Sequence, residues 1–208
     1  MGYYNSALLP RAIALACGSR HFSSWRTEAT QGLAGRVIEV GFGSGANVAY
    51  YPDAVDSLVA LEPSDLARRL AGRALKRTSV KVALSAAVGE KIPFDSASFD
   101  AALATFVLCT VADPQAVLSE LRRVLVPGGT LHFLEHGISG DPKVSKWQNR
   151  LDPLETRLAG GCHLTRDAAS LISDAGFQVT SLRKGYGPGP RPWSYFSVGT
   201  ALNPRPAP

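Results

Sequence analysis

The stretch Val37-Ile-Glu-Val-Gly-Phe-Gly-Ser-Gly45 decides the fold, because a short apolar run leads directly into three closely spaced glycines. The apolar run predicts a strand at residues 36–40, and the glycines predict a sharp turn at its end. Glycine also leaves the main chain bare, so that a ligand can lie directly against it. In an open α/β sheet, nucleotide-like ligands bind beyond the carboxyl ends of the strands, where this turn is placed. The stretch therefore predicts a cofactor-binding turn, and a purely structural turn is the alternative.

Apolar runs alternate with helix-like segments along the rest of the chain, which predicts a mostly parallel sheet with crossover helices. The predicted further strands lie at residues 57–61, 80–84, 98–107, 130–134, 177–183 and 195–201. The first predicted helix begins near residue 46 and is kept short by Pro52. The other predicted helices lie at residues 65–76, 114–125 and 165–175. Asp113 and Thr165 are the expected N-caps, and Pro127-Gly128-Gly129 is expected to separate a helix from the fifth strand. Residues 138–161 are predicted to be irregular or helical.

The last two predicted strands are joined by the stretch 185–192, which is rich in glycine and proline. Such a stretch cannot form a crossover helix, so we predict that this pair of strands is antiparallel. The expected fold class is α/β. It is a Rossmann-like, seven-stranded, mostly parallel sheet with helices on both faces and an antiparallel final strand.

The composition is that of a globular protein, with 208 residues, 45% hydrophobic content and 19% charged content. We expect a single domain at residues 1–202, which includes an N-terminal helical lid at 1–34, and a flexible tail at 203–208. No apolar run approaches the roughly 20 residues of a membrane span, and residues 1–9 lack the basic start of a signal peptide. The sequence therefore predicts a cytoplasmic protein without stable membrane insertion, while a peripheral membrane contact stays open.

The net charge of +5 includes a dense basic run on the helix predicted at residues 65–76. Apolar residues recur at helical spacing within the same run, so it is predicted to be a solvated helix face. The chain also has no Asn/Asp-Pro-Pro-Tyr-type motif for a flipped base. No nucleic-acid partner is therefore expected.

The three cysteines, Cys17, Cys109 and Cys162, are far apart and form no CxxC pair. This spacing predicts neither a disulfide framework nor a metal site. Cys109 and Cys162 are each expected to behave as a small buried hydrophobic group.

Glu62 ends the second predicted strand, beside the glycine turn. A carboxylate there can accept hydrogen bonds from both hydroxyls of a ribose, as in proteins that bind nicotinamide dinucleotides or S-adenosylmethionine (SAM). A short-chain dehydrogenase of this size would use a Tyr-x-x-x-Lys pair, and none of the six tyrosines has lysine at that spacing. The antiparallel final strands also favour a methyltransferase sheet, so the sequence favours SAM.

Four segments carry a family resemblance when taken in order. They are Glu-Val-Gly-Phe-Gly-Ser-Gly at 39–45, Leu-Glu-Pro at 61–63, Gly-Glu-Lys-Ile-Pro-Phe with Ser-Phe-Asp within 89–100, and Arg-Val-Leu-Val-Pro-Gly-Gly at 123–129. With these segments the chain resembles the class I SAM-dependent methyltransferases over nearly its whole length. Further segments resemble the methyltransferase-like seven group, the alkyl-thiol S-methyltransferases. They lie at 45–52, 107–111, 135–136, 147–148, 151–153 and 161–166.

The resemblance implies which residues bind SAM. The methionine part would be held by Glu39, Gly41, Gly43 and Gly45, and the ribose by Glu62. The adenine would be flanked by Ala87, Val88 and Gly89, the methyl-donor side would be lined by Thr105 and Phe106, and Asn47 and Pro63 complete the set.

Two departures from the family pattern limit what carries over. Many class I members have an aspartate near position 88 that bonds the adenine amine; Val88 cannot, so backbone groups must serve. The mammalian thiol enzymes also carry a hydrophobic N-terminal membrane segment. This chain begins with no such stretch, so membrane attachment is not expected to carry over.

SAM is a sulfonium whose methyl group is already activated, so transfer needs alignment and exclusion of water, with no metal or covalent intermediate. His136, at the end of the fifth predicted strand, is the first candidate for a base. Its neighbour Glu135 would orient the imidazole or face the substrate, and the alternative is that the pair ties down the following loop. His163 is the second candidate, whereas His132 is expected to be a core residue.

The favoured hypothesis is an enzyme that methylates a small, rather apolar acceptor, with a thiol as first choice. The alternatives are O- or N-methylation of a phospholipid, quinone or other secondary metabolite, and a SAM-binding protein without turnover. A small-molecule acceptor is the expected partner of a monomer or homodimer.

Overall fold

The computed structural model describes residues 11, 15 and 17–205. Within that part of the chain the strands are β1 (Gly35–Val40), β2 (Val55–Leu61), β3 (Lys81–Ser85), β4 (Phe99–Thr105), β5 (Leu125–His136), β6 (Gln178–Tyr186) and β7 (Tyr195–Leu202). They form one sheet in the order β3-β2-β1-β4-β5-β7-β6. The pairs from β3 to β5 are parallel, and β7 is antiparallel to both β5 and β6. The predicted mostly parallel sheet with an antiparallel final strand is confirmed.

The described helices cover both faces of this sheet. They are α1 (Ser23–Thr30), α2 (Asp65–Leu75), α3 (Pro114–Val124), α4 (Pro142–Leu158) and α5 (Ala168–Asp174). On one face, Ile38 and Val40 of β1 belong to a buried cluster with α3 and α5. On the other face, Val37 belongs to a cluster with α2, and α1 packs nearby on Leu134 of β5. The alternation of side chains along each strand therefore produces two cores, one on each side of the sheet.

Strand β5 is longer than predicted, because the chain continues as a strand through Pro127-Gly128-Gly129. The backbone of Gly128 donates to the carbonyl of Asn203 at 2.8 Å, and the amide of Asn203 donates to Gly129 at 2.8 Å. The side-chain amide of Asn203 also lies 3.1 Å from the carbonyl oxygens of Arg122 and Leu125, at the end of α3. The prediction of a flexible tail from residue 203 is therefore wrong for Asn203, which is buried; residues 206–208 lie outside the described residues.

Two local predictions about helices are also corrected. The helix predicted from residue 46 is a single 3-10 turn, Val48–Tyr50, because Tyr51 precedes proline and is extended, with ψ 130°. The last helix is capped by Asp167, not by Thr165, whose hydroxyl donates instead to Asp152 at 3.2 Å. The predicted stop at Gly176 is confirmed by its φ of +87°.

The N-terminal segment is described in part. Trp25 and Ala29 of α1 are buried on the sheet, and a short 3-10 turn, Arg20–Phe22, precedes them. The prediction of a lid at residues 1–34 stays a prediction, and residues 1–10, 12–14 and 16 of that range lie outside the described residues. None of the helices in the described part combines the length and apolar character that a membrane span requires.

His132 is the predicted core histidine, and its place in the core is confirmed by an exposure of 2%. Its Nδ1 lies 3.1 Å from the Ala29 carbonyl oxygen and its Nε2 lies 3.1 Å from the Thr130 hydroxyl, so β5 is tied to α1. Burial lowers the pKa of His132 to about 4, although the bond to Ala29 opposes this shift.

We expect this histidine to make the protein sensitive to mild acid. As the pH falls through about 6.5, His132 gains a proton in the unfolded chain but stays neutral in the folded protein until about pH 4. The free energy of unfolding should therefore fall by up to about 3 kcal/mol more in the native protein than in His132→Gln. Urea unfolding of both proteins between pH 7 and pH 4 measures this difference, and parallel pH curves would contradict it.

Candidate functional site

A cavity of about 770 Å³ lies at the carboxyl ends of the central strands. The chain moves outward from β1 to β3 and then returns to β4 on the other side of β1. The cavity therefore opens at the switch point of the sheet, where open α/β sheets bind ligands. Ten of the twelve predicted cofactor residues lie in its wall: Gly41, Gly43, Asn47, Glu62, Pro63, Ala87, Val88, Gly89, Thr105 and Phe106.

The glycine turn forms the floor of the cavity. The amides of Gly41 and Phe42 both donate to the carbonyl oxygen of Leu61, at 2.9 and 3.1 Å, which fixes the turn to the end of β2. Gly41 and Gly43 have φ angles of +68° and +58°, in the left-handed region that favours glycine. A methyl group on Gly43 would meet nothing closer than 3.9 Å, so this side of the turn faces open space.

Glu62 lies at the tip of β2 with only 8% of its surface exposed. One carboxylate oxygen accepts from the amide of Gly43 at 2.8 Å, and the other accepts from the amide of Ser64 at 2.9 Å. A carboxylate has about four acceptor positions, so two backbone donors fix its orientation without exhausting it. Because Glu62 also lines the cavity, the carboxylate remains able to accept from a ligand.

Glu39 and Gly45, the two remaining predicted cofactor residues, lie behind the cavity wall. Glu39 is fully buried and accepts hydrogen bonds from the side-chain amide of Asn47 at 2.9 Å and from the hydroxyl of Tyr51. Burial raises the pKa of Glu39 to about 7, against these two bonds. A Cβ on Gly45 would lie 3.0 Å from Ala74, so Gly45 allows α2 to pack closely on the turn. Both residues therefore support the wall from behind.

Arg26 of α1 is a cavity residue that the sequence analysis did not find. Its guanidinium donates to the side-chain oxygen of Asn47 and, at 2.7 Å, to the carbonyl of Cys17. Burial lowers its pKa, but a guanidinium stays charged in proteins. The available signal was that Arg26 shares the buried stripe of α1 with Trp25, Ala29 and Thr30. The result is a positive charge beside the glycine turn.

Phe106 continues the wall from the end of β4 in a strained conformation, with φ of +58°. Its ring meets the rings of Phe22 and Phe196 edge-on, at centroid distances of 5.5 and 5.7 Å. Left-handed backbone at a bulky residue persists only where the surroundings enforce it, and such residues cluster at ligand sites. The same wall presents Val88, which is 43% exposed and cannot bond an adenine amine through its side chain.

The three predicted catalytic side chains do not lie in the cavity wall formed by the described residues. Glu135 is fully buried, and its carboxylate accepts from the amides of Val107, Leu108 and Cys109 at 3.0, 3.0 and 3.2 Å. Burial raises the pKa of Glu135 to about 7, against these three bonds. Glu135 therefore ties down the loop after β4, whereas the alternative given above had the pair tie down the loop that follows it. The catalytic role of Glu135 stays a prediction.

The two candidate histidines have different surroundings. Nδ1 of His136 lies 3.6 Å from the sulfur of Cys162, and its Nε2 is buried without a partner among the described residues. Nδ1 of His163 lies 3.1 Å from one carboxylate oxygen of Asp152, and the other oxygen accepts from the backbone amide of Leu164 at 2.6 Å. The catalytic roles of both histidines stay predictions. The described residues contain no cluster of three or more histidine, cysteine or acidic side chains placed to bind a metal.

Known methyltransferases are similar to this chain in sequence. The sequence profile of the family described as Methyltransferase domain matches residues 38–133. Thiol S-methyltransferase TMT1B of Homo sapiens is 32% identical over 176 residues, which cover 81% of this chain and 69% of that protein. The Rattus norvegicus protein of the same name is 32% identical over 169 residues, or 78% of this chain and 66% of that protein. The chain thus spans about two thirds of the length of these relatives.

Solved structures show the same fold. A putative methyltransferase from Bacillus halodurans superposes with a TM-score of 0.72, at 14% identity, over 89% of this chain and 99% of that chain. At such low identity the likeness concerns the fold alone. The family follows from the sequence relatives and from the cavity over the glycine turn. The chain belongs to the class I SAM-dependent methyltransferases, close to the thiol S-methyltransferases, and its cofactor is SAM.

Proposed function

We propose that this protein transfers the methyl group of SAM to the sulfur of a small, rather apolar thiol. Glu90, next to the predicted adenine residues, and Cys17 and Arg26, near the glycine turn, also line the cavity. We assign the acceptor to the part of the wall that is formed after β4 and at the end of α4, by Thr110, Val111, Thr156, Arg157, Gly160 and Gly161. In the described part of the chain, this acceptor side of the wall offers neither a carboxylate nor an imidazole. The missing base is the observation that carries the proposal.

The acceptor must lose a proton to become a good nucleophile. A thiol with a pKa near ~8.5 is partly ionised at neutral pH, and the cation of Arg157 favours the ionised form further. An alcohol holds its proton much more strongly and would need a positioned base. A wall with a cation and without a base therefore suits a thiol. The likeness to TMT1B, a thiol S-methyltransferase by name, supports the same acceptor class.

In this proposal the residues of the chain bind SAM and orient its methyl group toward the acceptor. Under this proposal Glu62 accepts from the ribose hydroxyls, and Gly41 and Gly43 leave room for the amino-acid end of SAM; all three line the cavity. Arg26, which lines the cavity beside that turn, would pair with the methionine carboxylate. SAM supplies the activated methyl group, and the aromatic cluster around Phe106 helps to keep water away from it.

The acceptor class is tested by a labelled-methyl screen in which each small thiol is paired with the alcohol and the amine of the same carbon skeleton. We expect turnover of apolar thiols above the rate in buffer, and little turnover of the matched partners. Methylation of alcohols or amines with thiols no faster than in buffer would overturn the proposal. SAM binding without turnover of any acceptor would instead favour a SAM-binding protein.

The role of Glu62 gives a separate prediction about the cofactor. Glu62→Ala removes a charged acceptor for the ribose, and hydrogen bonds to charged groups contribute about 1.5–3 kcal/mol each. We therefore expect the Kd for SAM, measured by calorimetry, to rise by roughly 10- to 100-fold. Glu62→Gln, which keeps one acceptor oxygen, should lose less. An unchanged Kd in folded Glu62→Ala would show that this carboxylate does not contact the cofactor.

A further inference from the structure

The three cysteines of the chain, which are far apart in sequence, lie close together in the fold. Cys162 follows α4, Cys109 follows β4 and Cys17 precedes α1. The sulfur of Cys162 lies 3.6 Å from Nδ1 of His136, and the thiols of Cys109 and Cys162 are near enough to shift each other's pKa. Cys17 lines the cavity. None of the roles proposed above uses these thiols.

The two neighbouring cysteines, Cys109 and Cys162, have unequal environments. Cys109 is buried, whereas Cys162 is partly exposed. The neighbouring Cys109 thiol and the imidazole of His136 lower the pKa of Cys162, because both stabilise its thiolate. The interaction with Cys162, together with burial, raises the pKa of Cys109 well above its ordinary value. Cys162 is therefore the nucleophilic partner, and Cys109 is held as a protonated thiol directly beside it.

The pair is located at the acceptor side of the cavity. Gly160 and Gly161, which precede Cys162, lie in the cavity wall together with Thr110, which follows Cys109. The two loops are in close contact, because the amide of His163 donates to the carbonyl of Cys109 at 2.8 Å. A Cβ on Gly161 would lie only 2.8 Å from the carbonyl oxygen of Thr110. Among the described residues Cys162 and Cys109 are not part of the wall themselves, but a molecule in this part of the cavity would lie next to the loop that carries the partly exposed residue Cys162.

We propose that Cys162 and Cys109 form a nucleophile and resolving pair that reacts with small organic disulfides entering the cavity. The Cys162 thiolate attacks one sulfur of the disulfide, the S–S bond breaks, and one half leaves as a thiolate. The other half stays on Cys162 as a mixed disulfide. The sulfur of Cys109 then attacks Cys162, a Cys109–Cys162 disulfide forms, and the second half leaves as a thiol with the Cys109 proton.

This exchange balances without a further oxidant, because the small disulfide gains the two electrons that the protein thiols lose. An excess of a small thiol restores the reduced pair by the reverse exchange. The exchange does not require SAM, so it stands apart from the proposed methyl transfer. One consequence rests on the proposed function, in which the acceptor is a thiol. If the acceptor enters as its disulfide, the exchange breaks that disulfide and releases one half as a thiolate, which is the form that attacks a methyl group.

The test uses the reduced full-length protein and bis(2-hydroxyethyl) disulfide, without SAM, followed by intact-mass spectrometry and peptide mapping. In the native protein we expect the loss of two hydrogen atoms and a Cys109–Cys162 crosslink. In Cys109→Ser we expect a stable mixed disulfide on Cys162. Cys162→Ser should react at least about 10-fold more slowly, since the activated thiolate is gone. Cys17→Ser removes the third thiol and should still form the Cys109–Cys162 crosslink, which identifies the reacting pair.

Several results would overturn the proposal. They are an adduct mainly on Cys17, an unchanged rate in Cys162→Ser, and a native protein that keeps the adduct on Cys162 without forming the crosslink. Because Cys109 is buried, Cys109→Ala provides a second trapping variant if the serine variant does not fold. The screen of methyl acceptors has its own readout, so failure of the exchange and failure of the thiol methyltransferase proposal are distinguishable.

Discussion

Glu135→Ala is expected to lower the free energy of unfolding by at least about 3 kcal/mol. The carboxylate accepts from three consecutive backbone amides, those of residues 107–109, and it is fully buried. Its removal would leave three buried N–H groups without a partner, each at a cost of about 1–3 kcal/mol. Urea unfolding measures the loss as a lower midpoint at an unchanged denaturant slope.

Two matched variants test whether the lost stability comes from the buried backbone hydrogen bonds of Glu135. Glu135→Gln keeps one acceptor oxygen, so it should lose less stability than the alanine variant. Glu28→Gln removes a carboxylate from a half-exposed ion pair with Arg183, and such pairs contribute less than about 1 kcal/mol. If instead Glu135 acted on the substrate, Glu135→Gln would lower turnover at unchanged stability and SAM affinity. That outcome would contradict the loop-anchoring role.

The sheet could be predicted from the sequence because the signals for strands and turns are local. Apolar runs such as β4 and caps such as Asp113 act within a few residues, and both were correctly assigned. The continuation of β5 through Pro127-Gly128-Gly129 could not be predicted in this way. It depends on pairing with Asn203, which comes from the far end of the chain. Proline and glycine do not end a strand where a segment distant in sequence supplies hydrogen bonds to its backbone.

The cofactor side of the site was predictable for a similar reason, since its residues follow directly after strands whose ends must meet. The acceptor side was not, because it depends on how the loops after β4 and α4 come together around Cys109 and Cys162. One signal was available but unused. Neighbouring residues of a strand point to opposite faces, so Glu135 and His136 could not both point toward one substrate. The structure separates them, with Glu135 under the loop after β4 and His136 beside Cys162.

The second large effect is expected at the glycine turn, where Gly41 and Gly43, two positions apart, should respond differently to substitution by alanine. In Gly41→Ala the new Cβ would lie 2.1 Å from Cγ2 of Val107, and the residue would keep a φ of +68°. The left-handed conformation costs about 1–2 kcal/mol, and overpacking costs about 1–3 kcal/mol more. We therefore expect Gly41→Ala to lower the free energy of unfolding by about 2–5 kcal/mol in urea titrations.

Gly43→Ala is the control, because its Cβ would meet nothing within 3.9 Å and would project into the space expected to hold SAM. It should lose only the conformational term of about 1–2 kcal/mol, while its Kd for SAM rises. A double-mutant cycle identifies the clash directly. Val107→Ala removes the atoms that the new methyl group meets, so it should cost less stability in the Gly41→Ala background than in the native protein. Additive losses would mean that Gly41 is required for its backbone angle alone. A coupling energy of about 1 kcal/mol or more would show that the loop after β4 packs closely on the turn and so shapes the cavity floor.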